Sequence, residues 1–296
     1  MSPLAPQFSE PSKYAYHYTN MATARDHIIP RRRIRLSRYT ATNDPKERKE
    51  WTFTLWTRNL QRGLVNYELQ KLSLELSQAL KERTRLLCCS TDAPSLSGNH
   101  LDDIHKRGFT KPRMWAQYAG DHSGVCLVFD RQRLGEEIAC QCGAATLAAA
   151  NVKYLDRHLV ADLAAYTIDA DVLERIGFED YVRWHLRHHV DVLFFEKMTD
   201  WQQEAEFRWV LFSKDTGDIF VDFKDSLVGM IFGDTACADD IANIIQATED
   251  LGILSMGLKW RNCAPWLDYG NFLYDPVFRR IQREKTAKPP AEITDP

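Results

Sequence analysis

The chain has 296 residues, 44% of them hydrophobic and 27% charged, a balance that supports a buried core and excludes a disordered polymer. A formal net charge of −3 excludes a molecule whose whole surface traps nucleic acid. No apolar run approaches the roughly 20 residues that span a bilayer, and Met1 is not followed by a basic and then apolar leader, so a cytoplasmic, non-membrane protein is expected.

Residues 1–12 are Pro-rich and expected to be loose. The aromatic β-formers of Tyr14–Tyr18 predict a strand, and Thr19-Asn20 caps a helix over Met21–Ile28 that Pro30 stops. Arg33–Leu36 alternates like a half-exposed strand. Asn43-Asp44-Pro45 marks a turn, with helices expected over Lys46–Arg62 and Val65–Arg83; Leu69, Leu72, Leu76 and Leu80 recur at helical spacing in the second. Leu86–Ser90 reads as a buried strand, and Thr91–Thr110 as a polar loop long enough to imply function or mobility. Pro112 opens a short helix, and Val125–Phe129 is a strong buried strand. Cys88-Cys89 and Cys140-x-Cys142 are too close for ordinary bridges, so the seven cysteines read as reduced thiols.

Ala139–Ala150 is rich in Cys and Ala and leads to a short strand at Val152–Leu155. A largely helical insertion follows near 156–199. Phe207–Phe212, Asp218–Phe223 and Leu227–Phe232 read as paired strands, Ala238–Leu251 as an amphipathic helix, and 279–296 as a fraying end. Strands and helices do not alternate as in a doubly wound sheet. The expected fold is a single α+β domain over residues 13–275, with a central, largely antiparallel mixed sheet and helical insertions.

Neither a dinucleotide-binding glycine fingerprint nor a P-loop is present. His185 and His189 have helical i,i+4 spacing, but Leu186 stands where a zinc protease helix needs glutamate, so a solvated basic face is the simpler reading and no metal is expected. Three segments carry candidate chemistry. His17, between Tyr18-Thr19 and Tyr16, sits at a strand end where it either holds a ribose hydroxyl or caps the strand. Trp115 and Tyr118, three apart, form either an aromatic wall for a flat base or ordinary core. On a strand, Glu204, Glu206 and Arg208 share one face, as a surface ladder or as carboxylates held beside a substrate. The basic run Arg31-Arg32-Arg33, Arg35 and Arg38 either meets pyrophosphate or a polyanion or is a solvated face.

In order, Tyr16–Thr19, Asn43-Asp44-Pro45-x-Glu47, Cys88-x-Ser90, Met114-Trp-x-x-Tyr118-Ala, Gly124–Asp130, Trp201-x-x-Glu204-x-Glu206-x-Arg208 and Phe232-Gly233 resemble a widespread bacterial domain-of-unknown-function family. The opening also resembles ADP-ribosyltransferases of the diphtheria-toxin and PARP-like class, and DNA-modifying toxins of that fold. That second resemblance implies NAD as co-substrate, held by His17, Tyr18 and Thr19 with Arg35, Ser37, Asn43, Ser90, Trp115, Tyr118 and Arg208 as further binding residues. It implies Glu206 as the carboxylate on the ribose 2′-hydroxyl and Glu204 as a base for the acceptor. The acceptor would be nucleic acid or protein, the role that of a toxin or phage-defence effector, and an antitoxin or other regulatory partner would be expected. This chain lacks the Ser-Thr-Ser of the usual second strand, for which Ser37 and Tyr39, or Cys89-Ser90, are the stand-ins. The alternatives are another nucleotide or phosphate chemistry on a similar scaffold and a non-catalytic nucleotide-binding module.

Overall fold

The computed structural model describes residues 10, 12–58, 68–157, 164–215 and 217–268. Chain contacts divide it into two units, one from 1–33, 90–134 and 222–296, the other from 34–89 and 135–221. The secondary structure is mixed α+β with mostly antiparallel strand pairing. The loose ends expected over 1–12 and 279–296 lie outside the described residues, Glu10 and Ser12 apart.

In the first unit, strands Tyr14–Thr19, Val125–Asp130, Leu227–Phe232, Leu254–Arg261 and Ala264–Asp268 lie side by side in that order. All neighbours are antiparallel except 227–232 with 254–261, which are parallel and joined through the helix Ala238–Ala247, because a parallel pair needs a crossover. Tyr14 faces Asp130 and Thr19 faces Val125 across the first pair. Every residue of Val125–Asp130 is buried, as expected of an unbroken apolar run covered on both faces. The two motif glycines that bracket this region are steric requirements. A Cβ on Gly124 would stand 2.4 Å from the Thr19 carbonyl oxygen, and one on Gly233 2.0 Å from that of His122. Asn20 caps the first helix by accepting from the Thr23 N–H at 2.8 Å, as its sequence position implies.

In the second unit, strand Thr84–Ser90 pairs with both Arg33–Arg38 and Glu206–Phe212; the latter also pairs with Leu147–Asn151, and Ile219–Asp222 pairs with Arg33–Arg38. The helices Leu69–Glu82 and Phe178–Phe194 contribute to an aromatic core in which Tyr39 and Trp51 meet the Phe194 ring edge-on at 4.8 and 5.7 Å.

The helix expected over Lys46–Arg62 is not formed across its described residues, 46–58. Only Pro45–Arg48 is helical, and Thr54–Trp56 is a strand. The reason is tertiary: Ser77 and Ser73 on the Leu69–Glu82 helix accept the N–H groups of Trp51 and Phe53 at 2.9 Å each, taking the donors a helix would use. The Thr91–Thr110 stretch contains the short helix His100–Asp103 and a 3-10 turn at Ile104–Lys106. His185 is no part of a solvated face. It is fully buried, with its Nε2 2.9 Å from the Ala165 carbonyl, and burial pushes its pKa down to about 4. Among the described residues, no helix is long and apolar enough to cross a membrane, and no cluster of His, Cys, Asp and Glu is placed to hold a metal.

Candidate active site

The second unit carries a buried charge cluster built on strand Glu206–Phe212. Glu206 and Arg208, two apart, share a face as a strand requires, but that face is not exposed: Glu206 is 5% and Arg208 1% accessible. The surface-ladder reading is therefore excluded. Glu204 is not on the strand. It ends the 3-10 turn Thr199–Glu204, and Ala205, with φ of 45°, turns the chain into the strand.

Arg208 holds Glu206 bidentately, Nε to Oε1 at 2.6 Å and Nη2 to Oε2 at 3.1 Å, and its Nη1 donates to the Phe194 carbonyl at 2.8 Å. The Lys197 ammonium lies 2.8 Å from both Glu204 Oε2 and Glu206 Oε2. Its other side faces the Trp201 ring at 5.1 Å, a cation–π contact. The Glu206 N–H donates to the Tyr154 hydroxyl at 2.8 Å. Burial opposes ionisation of Glu206, but the charges of Arg208 and Lys197 prevail and bring its pKa down to about 2. The neighbouring Cys88 thiol is pushed far up by burial and by the Glu206 charge, so it stays a neutral thiol and not a nucleophile.

Glu47 reaches the same guanidinium from the Asn43-Asp44-Pro45-Lys46-Glu47 segment. Asp44 is the N-cap, accepting the Lys46 N–H at 2.9 Å, and Pro45 occupies the first helical position where its missing donor costs nothing. Glu47 then falls in the first turn, fully buried, yet neither of its oxygens makes a hydrogen bond among the described residues. Two lysines brace this turn. Lys81 caps its carbonyls, donating to Glu47 at 3.1 Å and to Lys46 and Lys49. Lys46 donates at 2.8 Å to the carbonyls of Val192 and Glu196, capping the end of the Phe178–Phe194 helix. Burial lowers both lysines to about 8. In the heart of the cluster three carboxylates, Glu47, Glu204 and Glu206, face two cations, Arg208 and Lys197.

The other expected residues divide between the units. His17, Tyr18, Thr19, Ser90, Trp115 and Tyr118 lie in the first; Arg35, Ser37 and Asn43 lie in the second with Glu204, Glu206 and Arg208. Trp115 is fully buried in the first unit's core, its indole donating to the Phe109 carbonyl at 2.8 Å and its ring edge-on to Tyr18 at 5.1 Å, so it packs as core and presents no open wall. Tyr18 is likewise core, donating to the Gly108 carbonyl at 2.6 Å. The Ser90 hydroxyl is buried without a hydrogen bond among the described residues. Arg32 and Arg33 of the basic run are paired with Asp250 and Asp222, and Arg35 and Arg38 lie near Asp218 at 3.8 and 3.7 Å, which offsets much of the positive field. Sequence reasoning missed Lys197, Lys46 and Lys81, and gave Glu47 no role beyond its motif.

Residues 114–209 match the model of an uncharacterised family described as a protein of unknown function (DUF2971), consistent with the ordered motifs. The matched span includes Lys197, Glu204, Glu206 and Arg208, and Glu47 lies before it. No curated protein and no solved structure matches the chain.

Proposed function

We propose that the chain is an ADP-ribosyltransferase that takes NAD as co-substrate and transfers ADP-ribose to a macromolecular acceptor, protein or nucleic acid, as a toxin or phage-defence effector. The observation that carries this reading is the buried carboxylate pair Glu204 and Glu206, which share the Lys197 ammonium at 2.8 Å each. A buried ionised carboxylate favours positive charge nearby far more than one in water does. The ribosyl carbon acquires such charge as nicotinamide leaves, and a fixed, ionised Glu206 stabilises it without reorganising. On this reading Glu204, which shares Lys197 with Glu206, takes the acceptor proton.

A second reading is favoured by one observation: Glu206 is already engaged by Arg208 and Lys197 and is nearly inaccessible. On that reading the cluster pins the second unit internally, and the protein binds a nucleotide without turnover. Nicotinamide release from NAD by the purified full chain, with and without host lysate, DNA or RNA, separates the two. The transferase reading expects release that falls at least about 100-fold in Glu206→Gln, the scale of losing one electrostatic group. No release under any condition, together with no shift of the melting temperature by NAD, overturns it.

A further inference from the structure

The strand that begins with Glu206 ends at a cavity. Five and six residues further on, roughly 16–20 Å along an extended chain, Leu211 and Phe212 give an apolar lining to a pocket of about 400 Å³, within the size range of small-molecule sites. Arg83, Arg183, Ser213 and Lys214 also line it. The loop that presents Ser213 and Lys214 is held in place from beneath. The Ser213 N–H donates to the Arg83 carbonyl at 2.8 Å. The buried Arg85 donates to the carbonyls of Asp215 at 3.3 Å and Gly217 at 3.1 Å. The Ser213 Oγ accepts the Asp215 N–H at 3.1 Å, a bond that does not use the hydroxyl's own proton.

The charges facing the cavity are not balanced. Arg83 is bidentate to Glu179 at 2.8 Å, and Arg183 meets Asp180 at 2.5 Å. Lys214 makes no ion pair among the described residues, although it lies within electrostatic reach of Glu179. Glu179 and Asp180 are 58% and 60% exposed, and ion pairs so open to water are weakly held. A phosphate, with more charge and a geometry that matches the guanidinium fork, displaces such partners.

We propose that this cavity binds a small organic phosphate, with its phosphate on Arg83, Arg183, Lys214 and the Ser213 hydroxyl and its ring against Leu211 and Phe212. The site is separate from the Glu206 cluster and does not depend on the transferase reading.

Phenyl phosphate, inorganic phosphate and phenol serve as probes in calorimetric titrations of the full chain. Phenyl phosphate is expected to bind tighter than inorganic phosphate, phenol not at all, and added salt to weaken the phosphate binding. Lys214→Ala and Arg183→Ala, both on the accessible rim, should each weaken phenyl phosphate at least tenfold while leaving the melting temperature of the free protein within a degree or two. Millimolar phenyl phosphate without heat of binding, binding unchanged in the Lys214→Ala/Arg183→Ala double variant, or phenol binding as well as phenyl phosphate would each overturn the proposal.

Discussion

Each unit buries an acid against an arginine, and the two do it differently. In the first, Asp92 accepts from Arg107 Nε at 3.1 Å and from the Gly108 N–H at 2.7 Å on one oxygen, and from the Tyr16 hydroxyl at 3.0 Å on the other; Arg107 also donates to Tyr16 at 3.0 Å. One acid meets one base and both carboxylate oxygens are satisfied. In the second, Arg208 serves Glu206 and Glu47 together, Lys197 serves Glu206 and Glu204, and the Glu47 oxygens lack hydrogen bonds. Burial dominates at Asp92 and raises its pKa, whereas at Glu206 two cations overcome burial and lower it. A satisfied buried pair is explained by the fold alone. A cluster in which Glu47, Glu204 and Glu206 share Arg208 and Lys197 ties several buried charges to one another, and perturbed titration of such groups is shared by functional sites and structural ion-pair networks.

The sharpest way to break this contrast is to remove the shared guanidinium. Arg208→Met leaves Glu47 buried without its guanidinium and Glu206 with Lys197 alone, and a loss of about 3–5 kcal/mol in urea unfolding is expected. A loss under about 1 kcal/mol would show that the cluster is not closed as described.

Acid should separate the units next. His185 has its folded pKa lowered from 6.5 to about 4, so between those values the unfolded chain binds more protons and stability falls as pH drops, by roughly 3 kcal/mol in all. Glu206, also lowered, loses its contribution only below its ordinary value of 4.5, as pH falls toward about 2. Asp92 is raised, so its protonation on acidification favours the folded first unit. Site-resolved hydrogen exchange from pH 7 to pH 4.5 should therefore show protection lost first in 164–195. Equal loss in both units would refute the assignment, and His185→Gln should flatten the slope.

The smallest effects compare the two acids directly. Asp92→Asn exchanges a satisfied carboxylate for an amide and should cost about 1–3 kcal/mol. Glu47→Gln removes one of two carboxylates that share Arg208 and should change stability by less than about 1 kcal/mol in either direction, because the desolvation it relieves offsets the ion pair it loses. Equal costs in thermal unfolding would erase the distinction between the two sites.

The sequence by itself determined the elements whose pattern is local. Leu227–Phe232 and the helix opened by Pro112 form where composition and capping place them, and Tyr14–Thr19 and Val125–Asp130 extend their expected strands by one residue. It placed Glu206 and Arg208 on one strand face, since that follows from a period of two. It did not reveal the hairpin Leu254–Arg261 and Ala264–Asp268, whose turn uses left-handed Asn262 and Cys263, φ 51° and 63°, in place of the Asn-Gly that signals such turns. Only the tertiary structure decided that 51–53 is not helical, because the serines that take its N–H groups lie 20 and 26 residues further along the chain. Only it brought Glu47, Lys197 and Arg208 together and turned an alternating strand into a buried charge cluster: burial and charge balance are properties of what packs from elsewhere, and no local pattern encodes them.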